Sequence, residues 1–136
     1  MKRWVLLFTV VSLFGCRNKY TGIPNVNVNL YINLQDPQYQ SLSGLGSWAY
    51  LNGGSKGIII FNLDNENYLA YERHCPYDPE NSCAKIVVDD TDLFAEDTCC
   101  TTKYQLIDGQ AISGPGGLPL KAYNTSFDGN IIRVWN

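Results

Sequence analysis

Few residues in this sequence have chemistry to offer, and they are unevenly placed. The chain holds five cysteines, one histidine and thirteen acidic side chains in 136 residues. Cys75, Cys83, Cys99 and Cys100 share the stretch 74–100 with His74 and Asp97. Thiolate, imidazole and carboxylate are the usual donors to zinc and iron. A cysteine beside a histidine also supplies a nucleophile and a base. Geometry argues against that second use, because adjacent residues of an extended chain point to opposite faces. The acidic run Asp89, Asp90, Thr91, Asp92, with Glu96 and Asp97 after it, has carboxylates for calcium. It lacks the glycine and the spacing of an EF-hand loop, so it reads as a solvated face. Gly114, Pro115, Gly116 and Gly117 lack the lysine and the following helix of a phosphate loop and read as a turn. Nine tyrosines and three tryptophans can line a sugar- or peptide-binding surface, but in a β-rich chain they more often fill cores and cross-strand pairs.

The fifth cysteine, Cys16, has a different setting. Lys2 and Arg3 open the chain, and the 12 residues from Trp4 to Gly15 are apolar. A spanning helix needs about 20 residues, so this run reads as a signal peptide, residues 1–15. Its end, Leu13-Phe14-Gly15-Cys16, resembles the lipobox of bacterial lipoproteins, with Phe14 bulkier than the usual residue there. The resemblance implies acylation of Cys16 and a protein held by lipid at the periplasmic or outer membrane of a bacterial envelope. Each buried methylene of such a chain contributes about 0.8 kcal/mol of membrane affinity. Beyond the signal, eight basic side chains face thirteen acidic ones, a net charge of about −5. That balance argues against nucleic acid as a partner. Four cysteines remain after Cys16, an even number, which in an exported protein predicts two disulfides. Of three possible connectivities, the one joining neighbours Cys99 and Cys100 strains the peptide between them.

The elements that position these residues read as strands. Residues 16–25 form a lipidated cysteine and a tether, and residues 26–136 one domain. Val26, Val28, Leu30, Ile32 and Leu34 alternate with Asn or Tyr, the period-two pattern of a strand with one buried face. Residues 36–46 read as loop with a helical turn. Residues 47–51 and 57–63 flank the turn 52–55 as a hairpin. Further strands are predicted at 68–72, 85–88 and 104–107, and a final hairpin at 119–127 and 130–135. No amphipathic helix of 12 residues or more is expected. Short strands separated by Gly, Asn and Asp turns indicate an all-β sandwich or barrel.

From residue 68 onward the order of features resembles a Rieske domain. YERHCPY (71–77) stands at the first cluster motif and DTCCTTKYQL (97–106) at the second. Asp108-Gly109, Gly114-Pro115-Gly116, Leu118-Pro119-Leu120 and Tyr123 follow in the family's order. The resemblance covers about residues 26–136. It implies an all-β, Rieske-like antiparallel β-sandwich with a small cysteine-containing loop subdomain, and a [2Fe–2S] cluster as the family cofactor.

The ligands depart from the family. A Rieske cluster takes two thiolates on one iron and two imidazoles on the other. By resemblance Cys75 keeps its position, while Tyr77, Asp97 and Cys100 occupy the other three. A single His74, off register, cannot supply two imidazoles. No cluster is therefore expected, and no other cofactor or metal. The resemblance further implies a disulfide between Cys83 and Cys99, and a second between Cys75 and Cys100 across the cluster site. Cys75, Cys100, Asp97, Tyr77 and His74 can instead hold a single iron or zinc, and the export signal favours the disulfide. No residue set supports a hydrolase or transferase, so the chain is expected to be a non-enzymatic structural or binding module. Its protein or small-molecule partner is not named by the sequence. Electron transfer through a [2Fe–2S] or other metal centre is the alternative.

Overall fold

The computed structural model describes residues 20–136. The expected signal peptide, residues 1–15, and Cys16 lie outside the described residues, as do the lipidation and localisation readings that rest on them.

Among the described residues, ten strands form two antiparallel sheets. In chain order they are β1 (Asn29–Asn33), β2 (Trp48–Leu51), β3 (Ile58–Asn62), β4 (Tyr68–Glu72), β5 (Ile86–Val88), β6 (Phe94–Asp97), β7 (Lys103–Gln105), β8 (Ala111–Ser113), β9 (Ala122–Phe127) and β10 (Ile131–Trp135). The larger sheet has the order β1-β10-β9-β4-β3-β2, and the smaller β5-β6-β7-β8. A single turn of 3₁₀ helix, Gln40–Ser43, is the helical turn expected in 36–46, and it buries Leu42. Among the described residues no longer helix occurs.

The apolar run of β3 explains how the two sheets meet. A strand with one solvated face alternates; β3 buries all five of its residues. Ile58 and Ile60 enter a core with Val28, Ile32, Leu51, Ala70, Ile132 and Val134. Ile59 and Phe61, on the other face, enter a second core with Tyr71, Ile86, Ala95, Tyr104, Leu106 and Leu120. A strand between two cores needs hydrophobic residues on both faces. The second core is the floor on which the smaller sheet rests, and buried Cys75 belongs to it.

The smaller sheet holds the main departures from the sequence reading. β6 and β8 were not anticipated. β6 (FAED) is half acidic, yet Glu96 pairs across the sheet with Val87 on one side and Lys103 on the other, while Ala95 and Asp97 point inward. β8 (AIS) is a three-residue edge strand, too short and too exposed for a periodicity to show. The acidic run 89–92 is the β5–β6 turn. Asp89 pairs with Lys103 at 2.8 Å, and Asp92 accepts a 2.7 Å hydrogen bond from Trp48 Nε1, tying the turn to β2. Near the start of the described chain, Ile23 is buried, so the end of the expected tether packs against the domain.

Candidate functional site

Two loops at one end of the smaller sheet, where Ile86 of β5 pairs with Asp97 of β6, build the site. One leaves β4 and carries His74, Cys75 and Tyr77 before entering β5. The other joins β6 to β7 and carries Cys99, Cys100 and Thr102. A Cys83–Cys99 disulfide fastens the loops together, as the resemblance implied. Behind it, one sulfur each from Cys75 and Cys100 and one carboxylate oxygen of Asp97 all lie within 4.8 Å of one another. Cys75 and Asp97 are fully buried and Cys100 is partly so.

The expected Cys75–Cys100 disulfide is not present: both thiols are free. Their surroundings supply the reason. Each sulfur has its own hydroxyl partner, Tyr104 Oη at 3.7 Å for Cys75 and Thr102 Oγ1 at 3.1 Å for Cys100. The Asp97 carboxylate occupies the same small space. Burial, and next the neighbouring Asp97, push the Cys75 thiol up to about 12. The thiolate is the nucleophile that forms a disulfide, so Cys75 is a poor initiator of one here.

Asp97 is the hinge of this arrangement. Its position at the end of β6 turns the carboxylate under the loop that follows. Oδ1 accepts hydrogen bonds from the amides of Cys99 (2.6 Å) and Cys100 (2.8 Å), an Asx turn that fixes both cysteines. Oδ2 is buried and has no hydrogen-bond partner. A buried acceptor left unpaired costs about 1–3 kcal/mol, so native structures seldom keep one without a use.

Glycines bring the third wall close. A Cβ on Gly116 would sit 2.8 Å from Thr102 Cγ2 and 3.2 Å from Tyr104 Oη. Only glycine lets the 114–117 turn approach that far, and its amide donates to Thr102 Oγ1 at 3.0 Å.

The remaining candidates are placed elsewhere. Tyr77 is half exposed and is not part of the three-donor group. His74 is buried but engaged at both ring nitrogens. Nε2 lies 2.7 Å from the Pro79 carbonyl, which can only accept, so Nε2 carries a proton. Nδ1 faces Ser55 Oγ at 2.8 Å. The histidine thus props the 53–57 turn against the 77–83 loop and is not a ligand. Sequence reasoning missed Tyr104 and Thr102, the two hydroxyls at the sulfurs. They sit four and two residues past Cys100, and the signal available was a tyrosine on the strand that leaves that loop.

The site tests the family cofactor directly. A [2Fe–2S] cluster of the Rieske type needs two thiolates and two imidazoles, whereas the residues gathered here are two thiols and one carboxylate, with the imidazole committed elsewhere. The donor set does not fit that cluster.

An all-β fold of two antiparallel sheets, with paired loops at one end of the smaller sheet, defines the Rieske-like class. The comparisons with solved structures agree. The chain is similar to the ferredoxin of carbazole 1,9a-dioxygenase from Nocardioides aromaticivorans IC177, with a TM-score of 0.51 and 16% identity over 82% of this chain and 98% of that one. It is similar also to a chain in the complex of reduced oxygenase and oxidized ferredoxin in carbazole 1,9a-dioxygenase, with a TM-score of 0.50 and 15% identity over 78% and 92%. At such identities the likeness establishes the fold. No protein-family model matches the sequence, and no curated protein matches it either.

Proposed function

We propose that this domain is a lipid-tethered electron carrier of the bacterial cell envelope, with a metal centre that is not a Rieske cluster. The observation that carries the reading is the group Cys75, Asp97 and Cys100: two free thiols and a buried carboxylate within 4.8 Å, at the end of the fold where the ferredoxin-like loops meet. Support for a carrier comes from the neighbours, which are ferredoxins by name. One of them is in complex with an oxygenase, which favours a redox protein as partner. The carrier takes one electron from a reduced protein and passes it to an oxidised one, exchanging no atoms, and so is not an enzyme. Anchoring rests on the lipobox-like end of the signal, Leu13 to Cys16.

The competing reading is a structural or binding module with no centre, and the substituted ligand positions Tyr77, Asp97 and Cys100 favour it. One experiment separates the two. Protein purified without oxygen from an iron-replete host is analysed for metal and titrated between dithionite and ferricyanide. A bound metal with a reversible one-electron spectral change is expected. Metal-free protein with no couple would leave the structural module as the function.

A further inference from the structure

We infer that Cys75 Sγ, Cys100 Sγ and Asp97 Oδ2 bind a single divalent transition-metal ion of borderline softness, such as ferrous iron or zinc. This deepens the proposed function by naming donors, nuclearity and metal class, and it rests on the same site.

Three features carry it. The three donor atoms are gathered within 4.8 Å before any ion binds, a spacing that modest closure converts to coordination. Two sulfurs and one carboxylate oxygen suit zinc or iron, and three protein ligands leave a fourth position open. The second feature is Asp97 Oδ2, buried without any hydrogen-bond partner. Its sister oxygen takes two amides, so the carboxylate is held rigidly with one oxygen left over, and the carboxylate lies in the group with the two sulfurs. A cation supplies the partner it lacks.

The third feature is the set of donors behind the sulfurs. Gly116 N–H donates to Thr102 Oγ1, which leaves the Thr102 proton free for Cys100 Sγ. Tyr104 Oη, fully buried, faces Cys75 Sγ. Hydroxyl donors aimed at both sulfurs are what metal-bound thiolates receive from the groups around them. On binding, each thiol loses its proton to solvent and its sulfur forms a bond to the metal. No electron changes hands in that step.

The test uses Co²⁺ alone as probe, titrated anaerobically into the reduced protein. A thiolate-to-cobalt charge-transfer band saturating at one ion per chain is expected, displaced by Zn²⁺. Asp97→Asn keeps an oxygen for the Cys99 and Cys100 amides, so it folds as the parent does. It should weaken binding at least about tenfold. Cys100→Ser should lose most of the band. Asp89→Asn, on the β5–β6 turn, should change nothing. Absence of the band, equal affinity in Asp97→Asn, or a Cys75–Cys100 bridge in protein isolated anaerobically from its native host would overturn the site. Cobalt bound as described by a protein that shows no one-electron couple with iron leaves the site standing and removes the electron-carrier reading. A reversible couple in protein whose cobalt binding ignores Asp97 does the reverse.

Discussion

Glu72 and Asp97 are both fully buried carboxylates at the ends of strands, β4 and β6, and they are handled in opposite ways. Glu72 is saturated. It accepts from the amides of Ser55 (2.7 Å), Lys56 (3.0 Å) and His74 (3.0 Å) and from Tyr123 Oη (2.7 Å). Gly54 lies so close that a Cβ there would stand 2.3 Å from its Oε2, so the turn is moulded around the charge. Burial, then Glu72, hold the Tyr123 phenol above its ordinary range, which keeps it a donor. Asp97 has two donors on one oxygen and none on the other. A carboxylate with every lone pair matched is a structural rivet. One with a spare buried oxygen beside two thiols is an incomplete site, and the comparison shows why burial alone does not mark function.

The largest effect that sharpens this contrast should come from Glu72→Ala. It strands three amides and a phenol in the interior, and with unpaired buried donors costing about 1–3 kcal/mol each, a loss of at least about 3 kcal/mol is expected in urea unfolding. Glu72→Gln should lose clearly less, since the amide keeps an acceptor. Next, Cys83→Ser with Cys99→Ser opens a bridge of sequence separation 16. Chain-entropy models assign such a loop about 3 kcal/mol, and calorimetry should show a lower Tm with the β signature retained.

Asp97→Asn should shift stability by less than about 1 kcal/mol, because the Asx turn survives, and its effect should fall on metal binding. If it destabilises as much as Glu72→Ala, the two carboxylates play one role and the contrast fails. The smallest effect belongs to the partly exposed Asp89–Lys103 pair. Lys103 holds the Asp89 carboxyl below its ordinary value. A depressed folded pKa stabilises above the unfolded pKa, and that stability is lost as pH falls through the folded value. Lys103→Met should therefore lower stability only slightly at neutral pH, less at high salt, and not at all once Asp89 is protonated in both states. Urea unfolding across pH and salt measures this.

Much of the larger sheet was legible because its chemistry is local. The alternation in β1, the turn at 52–55 and the strand 68–72 are written in consecutive residues. β3 was legible too, its run of isoleucines announcing burial on both faces. The smaller sheet was less so. β6 depends on pairing with β5 on one side and with Lys103 of β7 on the other, and β8 on an edge it merely completes. At the site, the Cys83–Cys99 bridge followed from the family layout, whereas the Cys75–Cys100 bridge did not form. Counting cysteines cannot reveal that Asp97, Tyr104 and Thr102 converge on the remaining two sulfurs. That convergence is tertiary, and the spare oxygen of Asp97 is visible only when every neighbour is in place. The proposed acylation of Cys16 is checked separately, by mass spectrometry of the mature N-terminus from the native host, where a lipid-modified cysteine is the expected result.

The central claim is a single metal ion in place of a cluster, and X-ray absorption at the metal edge of anaerobically purified protein tests it most directly. The account predicts a shell of two sulfurs at about 2.3 Å with lighter oxygen donors inside it, and no second metal. Iron–iron scattering with bridging sulfide, or protein with no metal at all, would contradict it.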